Sequence, residues 1–461
     1  MWLWYGSAMS LSERQRKKLE GNLRRFVLFR LFYTSRFYYP IFTILFLDYG
    51  LTLEQFAILN MVWALTIVFA EVPSGAMADV VGRKRLLVFA AILMVIEMAL
   101  IVFAPIGAST LLFLMFMGNR VCSGLSEAAA SGADEALAYD SLKALGREED
   151  WAKLLERTTT VVSIGFFVTM ILGAFAYDPS VVNAALAFMN SGWVLEDSLV
   201  IRLPVILTLL TACLVLFTTL GMSEIDETAD KPAVENLSLL EPFRQVLAAA
   251  RWTLSHRFVF FVILAALALD SVGRQFAVLA SEYYRVIDIP VSWFGFVGAG
   301  MSLIGIANAR FSRYLVSTQA PLFNFLVLSA ILLVGLVGIS FAIPLYGVIF
   351  AVGAFAMMGM VQFQTSYYIN RAVDSQLRAT VLSFKGLALN LGLGLASLLY
   401  TVYVASLRAA ESAGSASEQM ETAVFVDSLA VFPVYYLLLF CCLIIAARLS
   451  IKQCAVFFEK P

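Results

Sequence analysis

Only one histidine, His256, occurs in the 461 residues. That scarcity argues against a zinc centre held by imidazole and against a histidine-based nucleophilic triad. Cysteine is scarce as well. Cys122, Cys213, Cys441, Cys442 and Cys454 lie in or beside apolar stretches without paired spacing, so they read as small buried hydrophobes. Neither a disulfide framework nor a metal site is expected. No GxxxxGK[ST] run is present, which removes nucleotide hydrolysis by a P-loop. Charge itself is sparse: Asp, Glu, Lys and Arg make up 14% of the chain, where soluble domains carry roughly 25%. The formal net charge of −1 offers no basic bias toward nucleic acid. No cofactor is implied.

What the chain has in abundance is apolar sequence, 61% of all residues, with a mean hydropathy of +0.85. A water-soluble protein this apolar would expose too much greasy surface. The apolar residues come in blocks of roughly twenty, the length needed to span hydrocarbon. Spans are expected over 26–47, 54–78, 84–104, 109–138, 153–177, 199–221, 258–286, 290–316, 321–342, 343–371, 377–407 and 425–450. The fold expected is an all-α membrane protein of twelve transmembrane helices in two six-helix halves.

Basic residues give the spans a direction. Residues 1–25 form a basic arm too long for a signal peptide, followed by a full-length, uncleaved first helix. With this arm on the cytoplasmic side, Arg83, Lys84, Arg85, Lys143, Arg147, Lys231, Arg244, Arg251, Arg257, Arg313, Arg378, Lys452 and Lys460 all fall there too. The opposite side keeps little beyond Arg285 and Arg408. Both termini are therefore expected in the cytoplasm, with the chain in the plasma or inner membrane. The longest polar stretch, 222–257, places Phe243, Leu247, Ala250 and Leu254 at helical spacing, as in an amphipathic helix lying on a membrane face. It separates a half at 26–221 from a half at 258–450, with a short tail at 451–461. Twin six-span halves suit a carrier whose central site opens alternately to each side.

Between the second and third spans the sequence reads Gly75-Ala-Met-Ala-Asp79-Val-Val-Gly82-Arg83-Lys84. Gly75 allows a neighbouring helix to approach, Asp79 puts an anion at a helix end, and Gly82 permits the turn. Arg83 and Lys84 can reach lipid headgroups or Asp79. The pattern resembles the loop motif of the major facilitator superfamily, on the side where the charge rule puts it. The position after the Asp is usually basic in that family and is Val80 here. The resemblance implies that Asp79 helps latch the two halves together. It also implies that spans five and eight, and two and eleven, meet across the halves. Stripes of small residues at Gly165, Thr169 and Gly173 and at Gly298, Ser302, Gly305 and Ala309 suit such contacts.

The fourth span carries Arg120-Val-Cys-Ser-Gly124, similar to the R-x-x-Q-G motif of the family with Ser123 in place of Gln. A charge in mid-span costs about 2.5–3.5 kcal/mol, so Arg120 should be paired or useful. Glu127, two turns on, is a candidate partner. The fifth span lacks the proline of the drug-antiporter signature, and no sugar-porter run follows span six. Further polar residues fall inside apolar blocks: Arg36 beside Tyr38 and Tyr39, Glu97, Asp270, Arg274, Gln362, Lys385 and Asn390. Asp270 and Arg274 can pair along one helix face. Arg36 then either meets an anionic substrate group or bridges to Asp270. The resemblance implies that Arg120, with Glu127 as its partner, is a candidate for coupling; Glu97 and Asp270 are candidates because burial raises a carboxyl pKa toward working pH. Arg36, Tyr39, Arg274, Gln362 and Asn390 are the candidates for the substrate cavity. The expected function is a monomeric secondary active carrier for a small organic solute, of which an anion is one reading, coupled to protons and surrounded by lipid. The alternatives are an integral membrane enzyme and a non-transporting receptor or assembly protein on the same scaffold.

Overall fold

The computed structural model describes residues 12–224, 240–373, 375–411 and 418–451. The first half begins with α1 (Glu13–Thr34), inside the stretch expected to be the arm, and continues with α2 (Phe42–Asp48). It then runs through α3 (Leu53–Val81), α4 (Arg83–Val102), α5 (Thr110–Ala130) and α6 (Ala133–Ala144). α7 (Trp151–Tyr177), α8 (Pro179–Phe188), α9 (Asp197–Val200) and α10 (Leu203–Gly221) complete it. After a linker helix α11 (Leu240–Ser255) the second half holds α12 (Arg257–Val286), α13 (Phe294–Thr318), α14 (Pro321–Ser340) and α15 (Val348–Ala372). It ends with α16 (Ser375–Glu411), α17 (Glu418–Leu429) and α18 (Val431–Ile451). Among the described residues no strand occurs.

Among those residues nine segments are long and apolar enough to cross a membrane. The other crossings are α1 with α2, α5 and α13, giving the expected twelve in two sets of six. Starts follow local chemistry. Ser12 with Gln15 and Thr52 with Gln55 form capping boxes on α1 and α3, Ser109 caps α5, and Pro321 opens α14. Large apolar side chains point outward at Leu210, Leu214 and Phe217 on one face of α10, as a lipid-facing surface requires.

One difference from the expected spans matters for function. The first span is not one helix: it stops at Thr34 and resumes through a tight turn at Tyr39–Ile41. Pro40 cannot donate a backbone bond. The freed groups are satisfied by the sixth span, where Thr208 Oγ1 accepts from the Phe37 amide at 3.0 Å and Thr211 Oγ1 donates to the Ser35 carbonyl at 3.1 Å. Broken helices survive at membrane depth only where protein or a cavity receives the backbone.

Each half packs within itself, α4 on α5 and α10, α12 on α15 and α16. The halves meet where α3 packs on α16, α7 on α13 and α2 on α12. The glycine stripes divide between these two kinds of contact. On α7, Gly165 and Gly173 face the first span, and a Cβ at Gly173 would lie 1.9 Å from the Phe37 carbonyl oxygen. On α13, Gly295 and Gly298 face Met170 across the halves. The linker helix α11 touches α3, α12 and α16, while Leu247 and Leu254 point away from the bundle. The Phe243 side chain, residues 225–239 and the tail from 452 lie outside the described residues.

Overpacking at a close helix contact costs about 1–3 kcal/mol, and here the neighbour is unyielding backbone. Gly173→Ala is expected to lower the melting temperature and the monodisperse yield of purified protein. Gly353→Ala, where a Cβ meets nothing within 4 Å, is expected to leave both unchanged.

Candidate functional site

The break in the first span turns Tyr38, Tyr39 and Phe42 toward the molecular axis, where a cavity of about 460 Å³ lies between the halves. From the first half its wall also takes Asn60 and Trp63 on α3, Arg120, Ser123 and Glu127 on α5, and Phe166 and Met170 on α7. The second half supplies Arg274, Ser281 and Tyr284 on α12, Phe294 and Gly298 on α13, and Phe355 and Met358 on α15. The wall is mostly aromatic and aliphatic, with three charged side chains: Arg120, Glu127 and Arg274.

These charges are in different states. Arg274 is engaged through all three of its nitrogens: Nε donates to Asp270 at 2.6 Å, Nη1 to Asn390 Oδ1 at 3.0 Å and Nη2 to the Leu389 carbonyl at 2.6 Å. Gln362 reaches Asp270 at 3.4 Å and accepts from Lys385 at 3.4 Å. The pairing expected along α12 is therefore formed, and Gln362 and Asn390 serve it from α15 and α16 rather than lining the cavity themselves.

Arg36 does not bridge to Asp270. Its guanidinium forms an ion pair with Glu97 on α4, with both side chains buried (5% and 0% exposed). Nη1 also donates to Tyr38 Oη at 3.2 Å, and the rings of Tyr33 and Tyr39 lie 5.4 and 6.0 Å from the cation. Its charge is spent inside the first half.

Arg120 has no carboxylate partner among the described residues. Its Nε donates to Asn119 Oδ1 at 2.9 Å, and Asn119 in turn donates to the Glu97 carbonyl at 2.8 Å. The guanidinium sits 5.2 and 5.1 Å from the rings of Phe42 and Phe46. Its Nη2 is buried with no hydrogen-bond partner, although the residue is only 4% exposed. The expected pairing with Glu127 is absent from the described ion pairs. Seven residues of helix separate the two by about 10.5 Å along the axis. Glu127 instead stands exposed in the cavity wall.

At one end the cavity is closed by contacts between the halves that the sequence reading missed. Thr43 donates its hydroxyl to the Val278 carbonyl, and the amides of Thr43 and Ile44 reach Ser281 Oγ at 2.8 and 3.1 Å. Farther out, Arg285 pairs with Asp48 at 2.5 Å, and Tyr177 donates to the same carboxylate at 2.7 Å. Arg408 joins Glu54 at 2.6 Å and also pairs with Glu421. The only sequence signal was that Asp48 and Arg285 end the first and seventh spans, equivalent places in the two halves.

The opposite end carries the Gly82 loop. Gly82 has φ +103°, and a Cβ there would lie 2.8 Å from Glu224, so glycine is required. Glu224 accepts from the amides of Arg83 and Lys84 at 3.0 and 3.1 Å, capping α4. The Arg83 side chain pairs with Asp140 on α6 and donates to the Ala136 carbonyl at 3.1 Å. Gly75 has open space around it. The side chains of Asp79 and Val80 lie outside the described residues.

The sequence profile of the Major Facilitator Superfamily matches residues 26–397. The chain belongs to the major facilitator superfamily. Among solved structures it is similar to a bacterial homolog of the human lysosomal transporter Spinster in an inward-facing, unoccupied conformation. That match has a TM-score of 0.65 at 14% identity and covers 96% of this chain and 99% of that one. The nucleoside transporter NupG matches with a TM-score of 0.68 at 12% identity over 93% and 98% of the two chains. The D-xylose-proton symporter matches with a TM-score of 0.58 at 12% identity over 92% and 97%. No curated protein sequence matches significantly. This superfamily chain is thus an integral membrane protein with a transporter fold.

Removing one member of a buried ion pair costs about 3–5 kcal/mol, whereas replacing both by apolar groups is often neutral. Arg36→Met is accordingly expected to destabilise the purified protein severely. The double variant Arg36→Met, Glu97→Leu is expected to recover most of the lost melting temperature. An Arg36→Met protein that melts like the parent would show that the pair is not a brace.

Proposed function

We propose that the chain is a secondary active carrier, moving a small organic solute through the central cavity by alternating access. The observation that supports this best is the cavity wall. Both halves contribute to it, and their contacts at the Asp48 end form a seal that relative motion would break. Among the described ion pairs, those that join the halves lie at this end. We take the halves as residues 26–221 and 258–450, and the Gly82 end as cytoplasmic, because the basic residues gather there. Both termini then lie in the cytoplasm of a plasma or inner membrane. One chain contains the whole cavity, which favours a monomer. The latch role of Asp79 belongs to the same reading.

The cargo we propose is a solute with one anionic group on an apolar or aromatic body. Arg120 supports this reading over Arg36. A buried guanidinium nitrogen without a partner costs free energy that a bound carboxylate or phosphate group would recover. The surrounding Tyr, Phe and Trp rings suit an apolar body. We assign the coupling proton to Glu127, because Glu97 and Asp270 are held in ion pairs while Glu127 faces the cavity. The proton in the name of the similar xylose symporter lends this support. A membrane enzyme would need a reactive cluster that the cavity's polar groups do not form. A non-transporting scaffold would gain nothing from sustaining Arg120 unpaired.

Proteoliposomes with an imposed pH gradient test both assignments. Acidic solutes are expected to accumulate in preference to their neutral amides. Arg120→Gln is expected to weaken their binding by about 10- to 100-fold, the loss of one charge-assisted hydrogen bond. Glu127→Gln is expected to abolish accumulation driven by the gradient while leaving solute exchange at equal pH. Equal handling of acids and amides by the parent protein would overturn the anion assignment, and gradient-driven accumulation by Glu127→Gln would overturn the proton assignment.

A further inference from the structure

A second large cavity, of about 570 Å³, lies on the side of the first half at the Gly82 end. Its floor is apolar, made by Leu23 and Val27 of α1, Leu142 of α6 and Leu154 of α7. Its rim is basic: Arg24, Arg147, Lys153 and Arg157. Two carboxylates also line it, fewer than the four cations, so the rim stays net positive. Asp150 is shared between Arg147 at 2.9 Å and Lys153 at 3.1 Å, and Glu20 faces Arg16 at 3.5 Å. Arg24 and Arg157 are both exposed and have no ion-pair partner among the described residues.

Helical phase tells what lies beside this groove. On α7, Phe166 and Met170 face the central cavity. Ile164, Val168 and Leu172 stand about 200° away from them around the axis, and all three are exposed (61%, 45% and 47%). Arg157 precedes Ile164 by two turns on that same outward face. On α1, Leu28 is exposed one turn beyond Arg24. The basic rim therefore opens onto an apolar strip running toward mid-membrane. A free anion would use only the rim; the floor and the strip match an acyl glycerol body.

We propose that this groove is a binding site for an anionic phospholipid. The phosphate lies between Arg24 and Arg157, the glycerol esters cover Leu23 and Leu154, and an acyl chain follows Ile164, Val168 and Leu172. Basic pockets between spanning helices at a membrane face hold phosphate headgroups by charge while the tails stay in hydrocarbon. Occupancy ties α1 to the start of α7, and α7 is a helix through which the first half meets the second. The lipid thus sets how firmly α7 is held to its own half.

The test uses full-length protein purified in neutral detergent and titrated with phosphatidylglycerol, phosphatidylcholine or inorganic phosphate, reading the melting temperature. Phosphatidylglycerol is expected to stabilise the protein well beyond phosphatidylcholine, and inorganic phosphate to have no effect. The double variant Arg24→Gln, Arg157→Gln is expected to need about 10- to 30-fold more phosphatidylglycerol for half the effect. Its response to phosphatidylcholine is expected to stay unchanged, which shows that it is folded. Arg310→Gln, Arg313→Gln removes the same charge from α13 and is expected to respond like the parent. Equal stabilisation by both lipids, full stabilisation by phosphate alone, or an equal loss in the α13 variant would each overturn the proposal.

Discussion

The buried ion pair between Arg36 and Glu97 is the contact on which the rest of the site depends. It lies where the first span gives up helical structure, and the two features support each other. A broken helix in hydrocarbon leaves backbone groups that must find partners, and Thr208 and Thr211 supply them from α10. That arrangement holds only if the break stays in one place along the sixth span. The pair fixes it there, because Arg36 follows the last helical turn and Glu97 is fully buried within α4. The turn that follows then carries Tyr38, Tyr39 and Phe42 into the cavity wall and delivers Thr43 to Ser281.

Seen from that anchor, the two halves differ in how they use charge. In the first half the buried pair faces inward, bracing α1 against α4. In the second half the pair runs along a single helix, Asp270 to Arg274, and its guanidinium reaches across to α16. Contacts inside each half are thus strong and polar at mid-membrane. Contacts between the halves at that depth are made by glycines, methionine and small apolar residues, as at Gly298 and Met170. Polar contacts between halves are found toward the Asp48 end. Such a division lets the halves stay rigid while the interface between them changes.

The sequence revealed what depends on local order and concealed what depends on distant pairing. Spans were legible because hydrocarbon demands long apolar runs, and α3, α4 and α7 begin or end within three residues of expectation. The Asp270–Arg274 pair was legible because four residues of helix put both on one face. The break at Thr34 was not, because Phe37, Tyr38 and Tyr39 keep the segment apolar and only Pro40 marks it. Arg36 could not be matched to Glu97, 61 residues away, nor Asp48 to Arg285, 237 residues away. Arg120 and Glu127 illustrate the opposite error. Seven residues place them on one face, yet too far apart along the helix to touch.

That same separation gives the proposed site its logic. Arg120 and Glu127 stand on one helix at two levels of the cavity, and the other carboxylates at membrane depth that were candidates for coupling are already paired. An anion taken up by Arg120 and a proton taken up by Glu127 bring no net charge together. The occupied cavity then differs from the empty one by neutral cargo, although each component alone would be costly to bury. Binding of one component also favours the other. A carboxylate at Arg120 raises the negative potential felt by Glu127, and a protonated Glu127 removes a repulsion from the arriving anion. Coupling of this kind needs no wire between the two sites: a low-dielectric cavity about two helical turns deep is enough.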